Sequence, residues 1–395
     1  MEVYLDNSAT TRVTDGARDL MMKVLYEDFG NPSSLHLMGV KAEQYMKEAA
    51  GIIAASLKVE PKEIIFTSGG TESNNLALIG TAMANKRRGN HIITTRIEHP
   101  SVQQPLVYLE ENGFEISFAP VDATGKLMKE KLFELVKENT ILVSIMYVNN
   151  EIGAVQDIAE LASELKKIKN DLILHVDAVQ AFGKYRIYPK REGIDLLTLS
   201  GHKIHGPKGS GALYVSDKVR INPVVFGGGH QRGLRSGTEN VPAIAGIGQA
   251  VSELYNDFEE KISRMYGLKQ SFLREVSRLE GVTINGLPMT CTDAFEMEQI
   301  RKTAPHIMNV SFQGVRSEVL LHSLEEKGIY VSAGSACSSH HPQPSVTLTA
   351  IGLHKDLMDS TLRFSMSDQT TLEEIQYTLE QIRELLPNLR KYSRK

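Results

Sequence analysis

Lys203 occupies a position where a charged side chain is uncommon. It belongs to the sequence Ser200-Gly201-His202-Lys203, which follows the apolar run GIDLLTLS and precedes the glycine-rich turn HGPKGSG. Lysine is rarely buried unless it is paired or used. An amine held against apolar walls gives up its proton more easily and can act as a nucleophile or form a Schiff base. The alternative is a lysine whose ammonium extends from the strand end into water.

A second glycine-rich turn lies between a predicted strand and a predicted helix in EIIFTSGGTESNNLALIG. The backbone amides of Gly70 and Thr71, with the Thr71 hydroxyl, are expected to converge on an anion at the helix N-terminus. The spacing fits neither the Walker nor the dinucleotide-binding fingerprint, so a small phosphate ester is the predicted ligand. A tight turn with an ordinary N-cap is the alternative.

Asp177 ends the apolar strand LILHVDA, and Gln180 follows three residues later. A carboxylate at such a place is costly unless it meets a cation. Asp177 is therefore a candidate partner for a protonated ring nitrogen, as a pyridinium cofactor requires. A helix N-cap is the alternative, since aspartate often occupies that position.

Three further polar residues follow or lie within predicted strands. His99, in RIEHPSV, is a candidate for stacking on a flat ring or for proton transfer, although a lone histidine there is often structural. Asn150, in MYVNNEIG, is placed to hydrogen-bond a ligand. Arg363, in TLRFSM, suits bidentate capture of a carboxylate. A salt bridge on an edge strand is the alternative for Arg363.

Cys337 lies in YVSAGSACSSHHPQPS, a composition that predicts an exposed loop. A thiolate there can act as a nucleophile on a substrate. The neighbouring His340 and His341 raise a metal site as an alternative, but a Cys-x-x-His-His cluster lacks the other half of a zinc site. Cys291, in PMTCTDAFEM, has no comparable setting.

Taken together, these sites meet the requirements of one cofactor. An amine, a carboxylate for a ring nitrogen, a phosphate cradle and a stacking histidine all follow strands of the same predicted sheet. This combination predicts pyridoxal 5'-phosphate, and it favours the functional interpretation of Lys203 over the solvent-exposed one.

The composition is that of an ordinary globular protein. The chain has 395 residues, 41% of them hydrophobic and 23% charged, with a net charge of −4. These values give no indication of direct nucleic-acid binding. The first residues resemble no signal peptide, and no apolar run is long enough to span a membrane. With only two cysteines, the chain is expected to be cytoplasmic.

From about residue 60 to 216, strand-like runs alternate with helix-like segments. The strand candidates are EIIF, HIITT, FEISFAPV, ILVSIMYV, LILHVDA, DLLTLS and GALYVS. This alternation predicts an α/β fold with a mainly parallel seven-stranded sheet and helices on both faces. Ligands of such sheets bind at the carboxyl ends of the strands.

The C-terminal region predicts a smaller α+β domain. One or two long helices begin at VPAIAGIG, and short strands (HIMNVSF, IYVSAG, TLRFSM) then mix with helices (SEVLLHSLEEKG, TLEEIQYTLEQIRELL). We predict a large cofactor-binding domain over residues 16–260. The small domain, which carries the Cys337 loop, is predicted to comprise residues 1–15 and 261–395.

The chain resembles a known protein family over almost its whole length. YLDNSATT, GNPSSLH, TSGGTESNN, EHPSV, VNNEIG, HVDAVQ, SGHKIHGPKG, RSGTEN, SACSS and LRFSMS match the NifS/IscS-type cysteine desulfurases. That family lies among the class V aminotransferase-like pyridoxal phosphate enzymes of fold-type I. The resemblance implies that fold, that cofactor and a homodimer with shared active sites.

The resemblance also assigns a role to each matching position. Lys203 corresponds to the lysine that binds the cofactor covalently, Asp177 to the partner of the pyridine nitrogen, and His99 to the ring-stacking histidine. Gln180 and Asn150 match positions near the cofactor oxygen and the substrate. The phosphate-binding positions correspond to Gly70, Thr71, Ser200 and His202, and Thr238 to one that reaches the phosphate of the other subunit. Arg363 matches the substrate-carboxylate arginine, and Cys337 the nucleophile.

The implied reaction converts L-cysteine to L-alanine. Lys203 is displaced by the substrate amine and abstracts the Cα proton, and the Cys337 thiolate then takes the sulfur as a persulfide. An acceptor protein collects that sulfur, either for iron–sulfur cluster assembly or for tRNA thiolation. The sequence closes with LRKYSRK, and Ser-Ser follows Cys337, and in both features it resembles family members that feed tRNA thiolation.

Three other functions are alternatives for a sequence with these residues. A selenocysteine lyase or a small-amino-acid aminotransferase would share the cofactor residues, but a transaminase has no use for a thiol in an exposed loop. A sulfur-carrier subunit without catalysis would be expected to lack Lys203 or Asp177, and both are present.

Overall fold

The computed structural model describes residues 1–287, 295–333 and 344–392. Its strands are β1 Val3–Tyr4, β2 Ile64–Thr67, β3 His91–Thr95, β4 Glu115–Ala119, β5 Thr140–Met146, β6 Ile173–Asp177, β7 Leu196–Ser200, β8 Gly211–Val215, β9 Val282–Asn285, β10 Ile307–Phe312, β11 Ile329–Tyr330, β12 Ser332–Ala333 and β13 Thr361–Ser365. Its α-helices are α1 Asp15–Tyr26, α2 Leu37–Leu57, α3 Gly70–Asn75, α4 Thr81–Asn85, α5 Pro100–Glu111, α6 Lys129–Glu134, α7 Ile158–Ile168, α8 Pro189–Glu192, α9 Val241–Leu254, α10 Phe258–Val276, α11 Met297–Ile300, α12 Ser317–Glu325, α13 Val346–Ala350, α14 Lys355–Met358 and α15 Leu372–Tyr392. A π-helical turn, Leu76–Gly80, joins α3 to α4, and short 3-10 turns cover Pro61–Glu63, Gly201–Lys203 and Gln231–Gly233.

A seven-stranded sheet organises the larger part of the chain. Its strand order is β2-β8-β7-β6-β5-β3-β4, and every pairing is parallel except the two that β8 makes. Each of the seven strands predicted from the sequence lies in this sheet, so the predicted fold class is confirmed. Because β3, β5, β6 and β7 run in one direction, their carboxyl ends meet at the same edge.

Helices cover both faces of this sheet because its strands are buried on both sides. Along β2, Ile64 and Phe66 belong to one apolar cluster and Ile65 to another. The first cluster includes residues of α2, α7 and α9, and the second includes residues of α5. A strand buried on both faces reads as a continuous apolar run, which is why these segments are conspicuous in the sequence.

A four-stranded antiparallel sheet forms the centre of the C-terminal region, with the order β12-β13-β10-β9. Its apolar cluster contains Phe272, Phe312 and Phe364. The ring centroid of Phe364 lies 4.9 Å from that of Phe272 and 6.3 Å from that of Phe312. The predicted strand IYVSAG is divided here into β11, which pairs with β1, and β12, which pairs with β13. No helix of the described residues is long and apolar enough to cross a membrane.

The N-terminal segment contacts both parts of the chain. β1 pairs with β11, and Asn7 N–H donates to the carbonyl of Ser365 at 3.1 Å. A few residues later, the N–H of Thr11 donates to the carbonyl of His202 at 2.8 Å. The segment thus lies beside the turn that carries Lys203. The division into residues 16–260 and the remainder stays a prediction.

Candidate active site

A cavity of about 450 Å³ opens at the carboxyl edge of the large sheet. Its lining comes from the N-terminal segment, the ends of the parallel strands and the four-stranded sheet. The lining residues are Asp6, Ser8, Ala9, Gly70, Thr71, His99, Ser101, Met146, Val148, Asn150, Asp177, Val179, Gln180, Ser200, His202, Lys203, Ser332 and Arg363. Ten of the twelve predicted site residues therefore share one cavity.

Lys203 enters the cavity from the 3-10 turn that follows β7. Its Nζ donates to the carbonyl oxygens of Ser8 and Ala9, at 2.5 and 2.7 Å. Two backbone carbonyls of the N-terminal segment thus help to hold the amine in place.

Asp177 lies at the end of β6, between Met146 of β5 and Thr198 of β7. Its side chain is buried. Oδ2 accepts a hydrogen bond from Asn74 Nδ2 at 2.8 Å, and Oδ1 accepts one from the N–H of Val179 at 3.0 Å. Donors on both oxygens stabilise a carboxylate in this setting, where it can face a protonated ring nitrogen.

The predicted phosphate cradle fits a small phosphate ester. Gly69 has φ +149°, which strongly favours glycine, and it makes the turn before α3. At Gly70 a Cβ atom would come within 2.8 Å of Val179 Cγ2, so only glycine allows this close approach. The Ser200 hydroxyl beside it is buried and has no hydrogen-bond partner among the described residues. An acceptor oxygen of a phosphate would satisfy it.

His99 is the N-cap of α5, which is a structural role, and it also lines the cavity; its predicted role in stacking or proton transfer stays a prediction. Burial lowers the pKa of the His99 ring. The negative charge of Asp177 raises this pKa, and the positive charge of Lys203 lowers it, but burial has the largest effect. Burial, followed by the charges of Lys203 and Lys208, lowers the pKa of His202 to about 4. Both rings are therefore neutral at pH 7.

Gln180 links the cavity to the C-terminal region. Its Nε2 donates to the Ser8 carbonyl at 3.0 Å, and its Oε1 accepts from Nε2 of His306 at 3.2 Å. His306 directly precedes β10, and burial holds its pKa well below the usual value. The orientation of Gln180 is thus fixed from both sides.

Arg363 lies on β13, which is an interior strand of the four-stranded sheet and not an edge strand, but the salt bridge of the alternative interpretation is present. Its Nη2 pairs with Asp6 Oδ1 at 2.9 Å, and its Nη1 donates to the carbonyl of Asn150 at 2.9 Å. Nε is buried without a partner among the described residues. A guanidinium held on two sides, with donors remaining, suits a carboxylate ligand.

One predicted site residue is not brought into this cavity, and another lies outside the described residues. Thr238 is exposed and lies outside its lining, so its predicted action in the other subunit stays a prediction. Cys337 lies outside the described residues, as do Cys291, His340 and His341. Ser332, five residues before Cys337, lines the cavity.

Four contributions to the site were missed in the sequence. Asp6 and the Ser8 carbonyl come from a segment too short to show a pattern, although its polar run after VYL was a usable signal. Asn74 is buried on α3 and bonds to Asp177, and its position one helical turn after the glycine turn could have indicated it. Glu98 adjoins His99 and looked like an ordinary loop residue.

Glu98 is a buried carboxyl group behind the cavity wall. Its Oε1 accepts from the Thr95 hydroxyl at 2.7 Å and from the N–H of Met146 at 3.1 Å. Burial, assisted by the charge of Asp177, raises the pKa of Glu98 to about 8. At neutral pH this group is mostly protonated, and it joins the ends of β3 and β5 without adding a second charge beside Asp177.

Comparison with known proteins identifies the class of protein that this fold and cavity define. Residues 3–378 match the family Aminotransferase class-V. The chain belongs to this family, whose members of the IscS/NifS type depend on pyridoxal phosphate.

Individual relatives narrow the position within that family. The cysteine desulfurase IscS of Dictyoglomus turgidum is 40% identical over 393 residues, which cover 99% of this chain and 96% of the relative. A solved NifS-like protein superimposes with a TM-score of 0.90 at 37% identity, over 98% of this chain and 100% of the other. The structure of SspA in complex with cysteine gives a TM-score of 0.79 at 33% identity, over 93% and 100%. The chain therefore groups with the cysteine desulfurases.

Replacing Glu98 by glutamine should change how stability depends on pH. In the wild type, the folded state keeps a proton on Glu98 between pH ~4.3 and 8, where the unfolded state has released it. Wild-type stability therefore falls as pH rises through this window. Glu98→Gln removes this loss. As pH rises, the free energy of unfolding of the variant should therefore increase relative to that of the wild type, by up to ~1.4 kcal/mol per pH unit.

Urea unfolding at pH 5 and at pH 7.5 measures the difference. Glu111→Gln, at the exposed end of α5, is the matched control and should follow the wild type. If the difference in stability between Glu98→Gln and the wild type were the same at both pH values, that result would contradict the protonated state of Glu98.

Proposed function

We propose that the protein is a pyridoxal phosphate-dependent cysteine desulfurase that converts L-cysteine to L-alanine and holds the sulfur as a persulfide on Cys337. The observation that carries the proposal is the single cavity in which Lys203, Asp177 and Arg363 occur together. An amine, a carboxylate for a ring nitrogen and a guanidinium for a substrate carboxylate are the groups that this chemistry needs.

The cofactor, when bound, withdraws electrons from the substrate Cα and so makes the bonds next to it breakable. Asp177 would hold the ring nitrogen, and His99 would lie against the ring. Gly70, Thr71, Ser200 and His202 would hold the phosphate, with Gln180 beside the ring oxygen. These roles follow from the lining of the cavity and from the resemblance of each motif.

Lys203 would hold the cofactor covalently and then move the Cα proton. Its Nζ rests on the carbonyls of Ser8 and Ala9, so the released amine has a place inside the cavity. Those carbonyls accept hydrogen bonds from the amine and donate none to it.

Arg363 and Asn150 would bind and orient L-cysteine through its carboxylate. The ion pair of Arg363 with Asp6 keeps the guanidinium in one orientation before the substrate arrives. Mutual orientation of this kind lowers the entropic cost of bringing the reacting atoms together.

Cys337 would complete the reaction. Its thiolate attacks the substrate sulfur, an S–S bond forms, and the electron pair of the broken Cβ–S bond passes to Cβ, which takes a proton. Cys337 follows Ser332 by five residues, and five residues span at most about 18 Å. The thiol is therefore within reach of the cavity that Ser332 lines.

Variants of Lys203 and Cys337 should separate cofactor binding from desulfuration. Purified protein should show the visible absorbance of a lysine-bound cofactor, and Lys203→Ala should lose it. The control is Lys208→Ala, which replaces a nearby exposed lysine and should keep the absorbance. Cys337→Ala should keep the absorbance yet lower alanine formation from L-cysteine by at least about a hundredfold, because the nucleophile contributes through a covalent step.

Alanine and sulfide are measured in the same reaction, with Cys291→Ala as the control for loss of a thiol. A colourless wild type that cannot be reconstituted would refute the proposal. A clear preference for L-selenocysteine over L-cysteine would identify a selenocysteine lyase instead.

A homodimer is part of the proposal. A run of apolar side chains is exposed between residues 22 and 40, at the end of α1, in the following loop and at the start of α2. Among them, Tyr26 is 84% exposed, Phe29 68% and Leu35 101%. An apolar surface of this kind is typical of a protein interface, and we propose that it is covered in the homodimer that the family resemblance implies.

Light scattering should give the mass of two chains for the wild type. The double variant Tyr26→Glu, Phe29→Glu should give the mass of one chain, because a dimer would have to bury two charges at the interface. Ile168→Glu, which places one charge on a half-exposed apolar residue of α7, is the control and should stay dimeric. A monomeric wild type would remove both the dimer and the shared role of Thr238.

The sulfur acceptor is proposed to be an iron–sulfur scaffold protein or a tRNA-thiolation enzyme of the cytoplasm. Enzyme loaded with ³⁵S from labelled L-cysteine should transfer the label to one of these purified acceptors, and Cys337→Ala should transfer none. Transfer to neither protein would overturn this part of the proposal and leave the desulfuration step intact.

A further inference from the structure

Asn74 connects two groups of the cavity to each other. It lies on α3, and its side chain is completely buried. Its Nδ2 donates to Asp177 Oδ2 at 2.8 Å and to the Ser101 hydroxyl at 2.9 Å. Both protons of one amide are thus used inside the wall of the cavity, one on each neighbour.

The chemistry of these neighbours fixes the orientation of the amide. If the amide were turned over, Asn74 Oδ1 would face the carboxylate oxygen of Asp177 at about the same distance, and two acceptors would repel each other. The NH₂ group must therefore face Asp177 and Ser101. Asn74 Oδ1 then points away from Asp177, and it is buried without a partner among the described residues.

The same amide sets the direction of the side-chain hydrogen bond between Ser101 and His99. The Ser101 oxygen accepts from Asn74 and lies 2.8 Å from His99 Nδ1, so its own proton is directed at that nitrogen. The N–H of Ser101 also donates to Nδ1, at 3.1 Å. Nδ1 is therefore an acceptor, and the proton of the neutral ring lies on Nε2.

We propose that Asn74 is a positioning residue that fixes His99 as the Nε2–H tautomer and holds Asp177 as a carboxylate facing the cofactor ring. The inference rests on the proposed function, since it concerns the residues that would receive pyridoxal phosphate. Asn74 itself is absent from the cavity lining and acts through the two groups it bonds.

Only a primary amide of this length meets both requirements. Alanine would leave Asp177 with a single donor, the N–H of Val179, and would free the Ser101 hydroxyl to rotate. Aspartate would place a second carboxyl group against Asp177, and two such groups share a proton instead of both ionising. Asn74→Asp should therefore weaken the site more than Asn74→Ala does.

The test measures binding of pyridoxal phosphate to apoprotein, followed by the growth of its visible absorbance. Loss of a hydrogen bond to a charged group predicts about ten- to a hundredfold weaker binding for Asn74→Ala. Asn74→Asp should bind more weakly still and show an altered absorbance spectrum, because Asp177 would share its charge with a proton. Asn75→Ala, which removes the neighbouring amide that bonds only to the Thr71 carbonyl, should stay within about twofold of wild type.

Ser101→Ala breaks the connection to His99 and leaves the one to Asp177. It should give a smaller loss than Asn74→Ala, and it keeps the proposal testable if Asn74→Ala apoprotein does not fold by circular dichroism. Wild-type affinity in Asn74→Asp, or an equal loss in Asn75→Ala and Asn74→Ala, would overturn the role of Asn74. Neither result would contradict the proposed function, which has its own tests: it fails if wild-type apoprotein does not bind the cofactor or if Lys203→Ala keeps the visible absorbance unchanged.

Discussion

A carboxylate at the end of a fully buried strand needs hydrogen-bond donors and a cation, and the architecture around Asp177 supplies the positions for both. β6 lies in the middle of the large sheet, so its end is surrounded by the ends of β5 and β7. Donors come from α3 and from the turn after β6, and the amine of Lys203 comes from the turn after β7. Few arrangements of a parallel sheet could bring these groups together over so short a distance.

The charges of the cavity are kept apart by the way each is held. Lys203 rests on backbone carbonyls, Arg363 pairs with Asp6, and Asp177 accepts from an amide and a backbone N–H. Glu98, although close to Asp177, holds a proton and adds no charge at neutral pH. The cavity therefore contains the carboxylate of Asp177, the amine of Lys203 and the ion pair of Asp6 with Arg363, each held by its own partners.

Much of the fold and of the site could be predicted from the sequence, for a physical reason. Strands of a parallel sheet read as apolar runs, and polar residues that follow such runs must meet at one edge, so Asp177, Lys203 and Asn150 were found together. The contributions of Asp6, Ser8 and Asn74 could not be found in this way, because they depend on contacts between distant parts of the chain. The division of IYVSAG into two strands was missed because each piece pairs with a different partner, β1 or β13.

The ion pair of Asp6 with Arg363 joins residues separated by 357 positions along the chain. During synthesis at about 5–20 residues per second, Asp6 leaves the ribosome about 20 to 70 s before its partner is made. The residues of the large sheet that we propose to hold the cofactor can already be assembled in that interval, but the wall that we propose to receive the substrate carboxylate cannot. On this proposal, a nascent chain acquires the means to hold its cofactor before it can select an amino acid.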